Sequence, residues 1–206
     1  IDKVLGYAIP ANDHPIPPTD PFHHSELPQR PFDPDRARFH LREAGIDLPR
    51  LSLSAADVAF TGAVDAAVLL SDMAGLAGAE IEVLPEPHDG YWTNVWMQKP
   101  FTQAFWFVRP TPGMHFSVAF ACEASWNDSH WCDPRFGELL ATSRVETDFE
   151  RRRQILWDLQ ELVHGQSGVI IPAFVSDLEV YADRLGGIRP DGYGRLAGFR
   201  LAERAW

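Results

Sequence analysis

Between residues 51 and 86 the chain reads strand, helix, strand, and this order restricts the possible folds more than any other feature of the sequence. Leu51 to Ser54 alternates apolar and polar residues weakly. From Ala63 to Leu76 apolar residues recur at helical spacing, with Val64, Ala67, Val68, Met73 and Leu76 as the expected inward face and Gly78 as the stop. The next stretch, AEIEVLPE, alternates with period two. Two strands joined through a helix cannot be a hairpin, because a tight turn reverses chain direction whereas a crossover of a dozen or more residues returns the second strand parallel to the first. The predicted fold class is therefore α/β, with helices flanking a sheet that is at least partly parallel.

The flanking segments read differently. IDKVLGY, Ile1 to Tyr7, looks like the end of a helix. After it, proline recurs at positions 10, 15, 17, 18, 21, 28, 31 and 34, among Asn12, Asp13, Asp20 and Ser25. Proline fixes φ and removes an amide donor, so this stretch, 10–34, is expected to be an extended, turn-rich strap laid over a surface. Asp33 is placed to cap a helix with Pro34 at its first position, running to Ala44 before Gly45. Tyr91 to Lys99 is a candidate short helix, and Ala104 to Val108 a candidate buried strand. Thr147 with Glu150 reads as a capping box opening a long helix that carries Ile155, Leu159, Leu162 and Val163 on one side. VIIPAFV (169–175) is a core strand interrupted by Pro172, and the glycine-rich Gly186 to Gly198 reads as loops with a terminal strand.

Composition narrows the function. Hydrophobic residues make up 45% of the 206 residues, enough for a real core in one ordinary lobe. A net charge of −11 opposes long-range attraction to phosphate backbones or anionic membrane surfaces, so nucleic acid is not an expected partner. No apolar run approaches the roughly 20 residues that span a bilayer. There is no GxSxG elbow and no activated cysteine motif, so no residue is nominated as catalytic and no cofactor is expected. His14, His23, His24, Asp13 and Asp20 crowd the strap and could ligate zinc or nickel, but their spacing fits solvated loop histidines better, and no metal ligand is assigned.

Cys122 and Cys132 lie near His115 and His130. The nine residues between the cysteines exclude a CxxC motif; a disulfide is favoured over a zinc site, a redox pair or two buried thiols. Tyr91, Trp92, Trp96, Trp106, Trp126 and Trp131 are grouped between 91 and 131, a density of large rings that suits either a core or a cleft for a small solute. Trp157, on the long helix, is read as core. Trp106 and Trp126 stand beside Arg109 and Asn127, in places expected to be strand ends or loops.

In this order the segments resemble the second lobe of the family 5 solute-binding proteins of ABC importers. The resemblance is carried by IDKVLGYAIPANDHPIPP, by FDPDRARFHLREAGI, by the helix and strand from Ala63 to Val83, and by Trp131 to Leu140 followed by Arg144, Asp148, Arg152 and Gln160. It implies a periplasmic-binding-protein-like lobe spanning 1–206, with 187–206 a returning C-terminal segment and the first lobe absent from this sequence. It further implies an extracytoplasmic, non-enzymatic receptor that takes a small solute, an oligopeptide, opine or similar, and delivers it to a membrane permease. A nickel or other metal-complex binder on the same scaffold, or a metalloprotein using the strap histidines, is the alternative. Trp106, Arg109, Trp126 and Asn127 are the expected cleft lining. Trp106 is similar to a cleft tryptophan of the family, while Arg109 stands where many peptide binders carry an acid for the ligand amine. A guanidinium there favours a carboxylate or phosphate instead. Gly113 likewise replaces an aspartate common in close relatives. Cysteines at places similar to Cys122 and Cys132 are bridged in dipeptide-binding members, which implies a disulfide here.

Overall fold

The computed structural model describes residues 8–176 together with Gly6, Val180 and Ala182. The expected helix end at Ile1 to Tyr7, Gly6 apart, and the expected loops and strand from Gly186 onward lie outside the described residues. In chain order the elements are β1 (Ala8–Pro10), α1 (Pro34–Glu43), β2 (Arg50–Ala55), α2 (Ala63–Leu76), β3 (Glu80–Pro85), α3 (Tyr91–Asn94), α4 (Pro112–Ala119), α5 (Pro134–Val145), α6 (Phe149–Gln166) and β4 (Ala173–Val175). They divide between two compact units, one covering Arg30–Trp106 and the other Gly6–Gln29 with the chain from Phe107 onward.

In the Arg30–Trp106 unit the predicted crossover is present. β2 and β3 are parallel, paired from Arg50 opposite Glu80 to Ala55 opposite Pro85, with α2 between them in sequence. Leu53, Ala55 and Ala67 form the buried centre, and Val64, Leu70, Ile81, Val83 and Phe101 pack around it. The inward face of α2 differs from the expected one. Ala63 and Ala67 are buried, while Val68, Met73 and Leu76 are exposed, because the helix meets the sheet through its smallest residues. Gly78, with φ of 86°, ends α2 as expected.

Beyond β3 the helix expected over Tyr91 to Lys99 stops at Asn94 and continues as turns. Its first residue anchors a second buried cluster with Ala56, Ala59, Ala63 and Val95. The Tyr91 hydroxyl donates to the Gln103 carbonyl at 2.7 Å, so this buried ring keeps its polar atom satisfied. Gly90 precedes it with φ of 79°, a left-handed conformation in which an L side chain is strained. On the surface, α1 is capped by Asp33, which accepts from Arg36 N at 2.9 Å, and Arg38 donates to the Leu76 carbonyl at the end of α2.

The second unit is largely helical. Phe116, Phe120 and Phe136 form its aromatic centre, with Phe116 and Phe136 edge-to-face at 5.6 Å between centroids and Trp131 edge-on to Phe136 at 5.1 Å. α6 is capped by Asp148, whose carboxylate accepts from Arg151 N at 2.9 Å, and not by the expected Thr147 one residue earlier. A carboxylate at the positive end of the helix is the better acceptor. The buried stripe of α6 is Leu156, Leu159, Gln160 and Val163, one position round from the expected one, with Ile155 and Leu162 half-buried.

That rotation is set by the strap. Residues 11–33 contain no helix or strand, as expected, so their backbone groups need partners elsewhere. Gln160, fully buried, accepts from His24 N at 2.9 Å and donates to the Phe22 carbonyl at 2.8 Å. Trp157 Nε1 donates to the His23 carbonyl at 3.1 Å, and His164 Nδ1 donates to the Asn12 carbonyl at 2.7 Å. Within the strap, Asn12 Nδ2 donates to the Leu27 and Pro28 carbonyls. Its start is held by β1, which pairs antiparallel with β4, and by Ala11 N donating to the Pro172 carbonyl. β4 is shorter than the VIIPAFV run because Pro172 has no amide to give a ladder.

Replacing Gln160 by Leu is expected to strand the Phe22 carbonyl and His24 amide, at about 1–3 kcal/mol for each buried group left unbonded. Urea denaturation should show that loss, and limited proteolysis should then cut within 20–27, with α2 and its strands unaffected.

Candidate functional site

The chain leaves the Arg30–Trp106 unit through an aromatic run, Phe105 to Val108. It is not the buried strand expected there: residues 103–109 carry no regular structure, and Phe105, Phe107 and Val108 are exposed. The rings are held from the side. Phe105 sits edge-on to Trp92 at 5.6 Å and Trp106 edge-on to Trp96 at 6.4 Å, with Trp92 and Trp96 themselves edge-to-face at 5.8 Å. Trp106 thus belongs to an aromatic group built on α3 and the turn after it.

Arg109, Trp126 and Asn127 belong to the other unit. Thr111 caps α4 by accepting from Met114 N at 3.2 Å, and Pro112 takes the first turn, so the helix begins three residues after Arg109. The Arg109 guanidinium lies 5.9 Å from the centroid of the Trp126 ring, a cation held against an indole that is itself 47% exposed. Behind it His115 is buried, and burial followed by the nearby charge of Arg109 lowers its pKa to about 4. His115 is therefore a neutral ring at neutral pH, packed over Phe120. Phe107, Val108, Met114 and Trp126 are all exposed large hydrophobic residues of this unit.

The loop that presents Trp126 is closed at its base and filled from within. Cys122 and Cys132 form a disulfide across a sequence separation of 10, with Cα atoms 4.7 Å apart. Asn127 was expected to face a ligand; instead its side chain is buried and committed to the loop. Nδ2 donates to the Trp131 carbonyl at 2.7 Å and the Ala121 carbonyl at 3.3 Å, and Oδ1 accepts from Ser129 Oγ at 2.9 Å. With Asn127 stapling the loop, Trp126 is the residue left pointing outward.

The strap histidines are not solvated loop residues. His14 and His24 are buried, and His23 Nδ1 donates to the Ile16 carbonyl at 2.7 Å. Among the described residues no group of three or more His, Cys, Asp and Glu side chains is arranged to hold a metal ion. Trp157, expected in the core, is half-buried and forms the platform under His24.

Sequence reasoning missed α4, and with it Met114 and the burial of His115, which it placed only as a neighbour of the cysteine pair. Thr111 followed by Pro112 is the signal that would have found it, a cap and a first-turn proline.

The fold is that of one lobe of a periplasmic-binding-protein-like molecule, a mixed α/β unit of the kind found in two-lobed solute-binding proteins. HbpA2 from Haemophilus parasuis superimposes with a TM-score of 0.78 at 18% identity, over 93% of this chain and 39% of that one. The dipeptide binding protein of Pseudoalteromonas sp. SM9913, solved with Met-Leu, gives 0.73 at 20% identity over 95% and 41%. The ABC transporter-associated periplasmic binding protein DppA of Helicobacter pylori, solved with the peptide STSA, gives 0.67 at 16% identity over 92% and 37%. The chain therefore spans about two fifths of the length of these structures. No protein-family profile and no curated protein matches the sequence. Among the described residues no helix is long and apolar enough to cross a membrane.

Removing the cross-link by replacing Cys122 and Cys132 with Ser is expected to cost about 2–3 kcal/mol, the loop-closure value for a loop of this size. Chemical denaturation should show it, and acrylamide quenching should report a more accessible indole at Trp126.

Proposed function

We propose that this chain is one wall of the substrate-binding component of an ABC importer, which captures a small solute outside the cytoplasm and passes it unchanged to a membrane permease. The observation that supports this most strongly is the superposition itself: more than nine tenths of the chain follows about two fifths of proteins solved with peptides in place. A partial match of that kind fits a molecule whose opposite wall comes from polypeptide outside this sequence. Binding is then by enclosure between two walls, with closure favoured by the ligand, and no bond is made or broken.

Within this reading Arg109 and Trp126 are contacts on this wall, and Asn127 with the disulfide keeps Trp126 in position. A guanidinium beside an indole suits a solute carrying a carboxylate or phosphate next to an apolar or flat portion. A peptide taken by its C-terminal carboxylate, or an opine, has that form.

The test is made on the complete two-walled protein, purified without unfolding. Native mass spectrometry should show a carried small molecule, and calorimetry with that molecule should show Arg109→Gln and Trp126→Ala each weakening binding by about tenfold or more, the scale of losing a buried anchor. The 206-residue chain alone should bind far more weakly, because burial of the solute needs the second wall. Sub-micromolar binding by the isolated chain, or unchanged affinity in both variants, overturns the proposal.

A further inference from the structure

Four of the eight histidines meet where the strap lies on α6. His14 is 1% exposed, its ring 5.3 Å from that of His23 and edge-on to Phe174 of β4 at 6.4 Å, and its Nδ1 is buried without a hydrogen-bond partner. His24 lies flat on Trp157, ring centroids 4.2 Å apart and planes 5° from parallel, with Nε2 donating to Glu161 at 3.0 Å. His164 reaches from α6 to the strap backbone at Asn12. Three of these imidazoles therefore sit on the strap and one on the helix beneath it.

We propose that the strap is a clasp released by acid, in which protonation of His14, packed beside His23, His24 and His164, detaches residues 12–28 from α6 while the helices below stay folded. The inference does not depend on the transport reading.

The groups facing the cluster decide the sign. From the strap come Asp13, whose carboxylate accepts from Ile171 N at 2.8 Å, and Asp20, which accepts from Phe22 N at 2.8 Å and whose pKa burial raises. From α6 come Glu161 on His24, and two more cations, Arg152 over Phe22 and Arg153 over Trp157. The segment leading into β4 and β4 itself, 169–175, contribute no titratable group. At His14 the balance opposes charge: burial first, then His23, His164 and His24, lower its pKa from 6.5 to about 3. A base whose pKa is depressed in the docked state takes up its proton more readily once released. Docking is thus at full strength above pH 6.5 and weakens as the pH falls from 6.5 toward 3. Between pH 7.5 and 5.0 this one group shifts the docking equilibrium about 30-fold toward release.

The same contacts make release local. Gln160, Trp157 and His164 all bond strap backbone, so they let go together, whereas the Phe116, Phe120 and Phe136 centre and the Cys122–Cys132 loop involve no strap residue among these contacts.

Hydrogen exchange of the 206-residue chain, corrected for intrinsic rate, tests this. Protection of amides in 12–28 should fall by about 30-fold relative to those of α5 between pH 7.5 and 5.0, and His14→Gln, which cannot titrate, should cut that relative fall to a few-fold. An equal fall in strap and α5, or an undiminished fall in His14→Gln, overturns the proposal. If His14→Gln has already lost strap protection at pH 7.5, the imidazole Cε1–H resonances of the unsubstituted chain decide. His14 gaining its proton in step with strap release supports the clasp; release with His14 still neutral, or protonation with the strap still protected, refutes it.

Discussion

A stretch of chain punctuated by proline cannot satisfy its own backbone, and the helical unit is organised around that fact. Residues 11–33 supply carbonyls and amides with no ladder to join, and α6 answers them with side chains: Gln160 to Phe22 and His24, Trp157 to His23, His164 to Asn12. Burying a carboxamide is tolerable only when it is bonded on every side, and Gln160 also donates to the Leu156 carbonyl one turn back. The orientation of α6, and hence the faces that Leu156, Leu159 and Val163 turn inward, follows from this polar seam as much as from hydrophobic burial.

The Trp126 loop follows the same logic at smaller scale. An indole is costly to hold still on a loop, since an unrestrained segment loses entropy on each encounter with a ligand. Here a covalent bridge closes the base, Asn127 fills the interior, and Arg109 lies against the outward ring. The result is an apolar, exposed ring held in one place by its own loop.

Much of the fold was legible because periodicity and caps are local signals. α2 runs over the predicted Ala63 to Leu76, and α1 begins at Pro34 behind Asp33 as its cap. The parallel pairing of β2 and β3 was implied by the intervening helix. What was not legible depended on partners distant in sequence. FWFV reads as a buried strand from its composition, yet its rings are held sideways by Trp92 and Trp96, which no local pattern reveals. The inward face of α6 was misplaced because a buried Gln counts as polar in any periodicity, and its bonds span more than 130 residues. Asn127 was read as a contact because a polar side chain in a loop looks available; its bonds lie within six residues, but their pattern depends on the fold of the loop. Arg109 and Trp126, singled out as a lone cation in an apolar run and an indole in a loop, lie against one another in the structure, a proximity that neither local signal encodes.

The seating of the His24 imidazole flat on Trp157 also gives the molecule a built-in optical gauge. An indole covered by another ring emits at a shorter wavelength than one open to water, so the colour of Trp157 differs between a covered and a bared face. Trp157 therefore carries, in the colour of its emission, a record of whether the segment above it is seated or lifted.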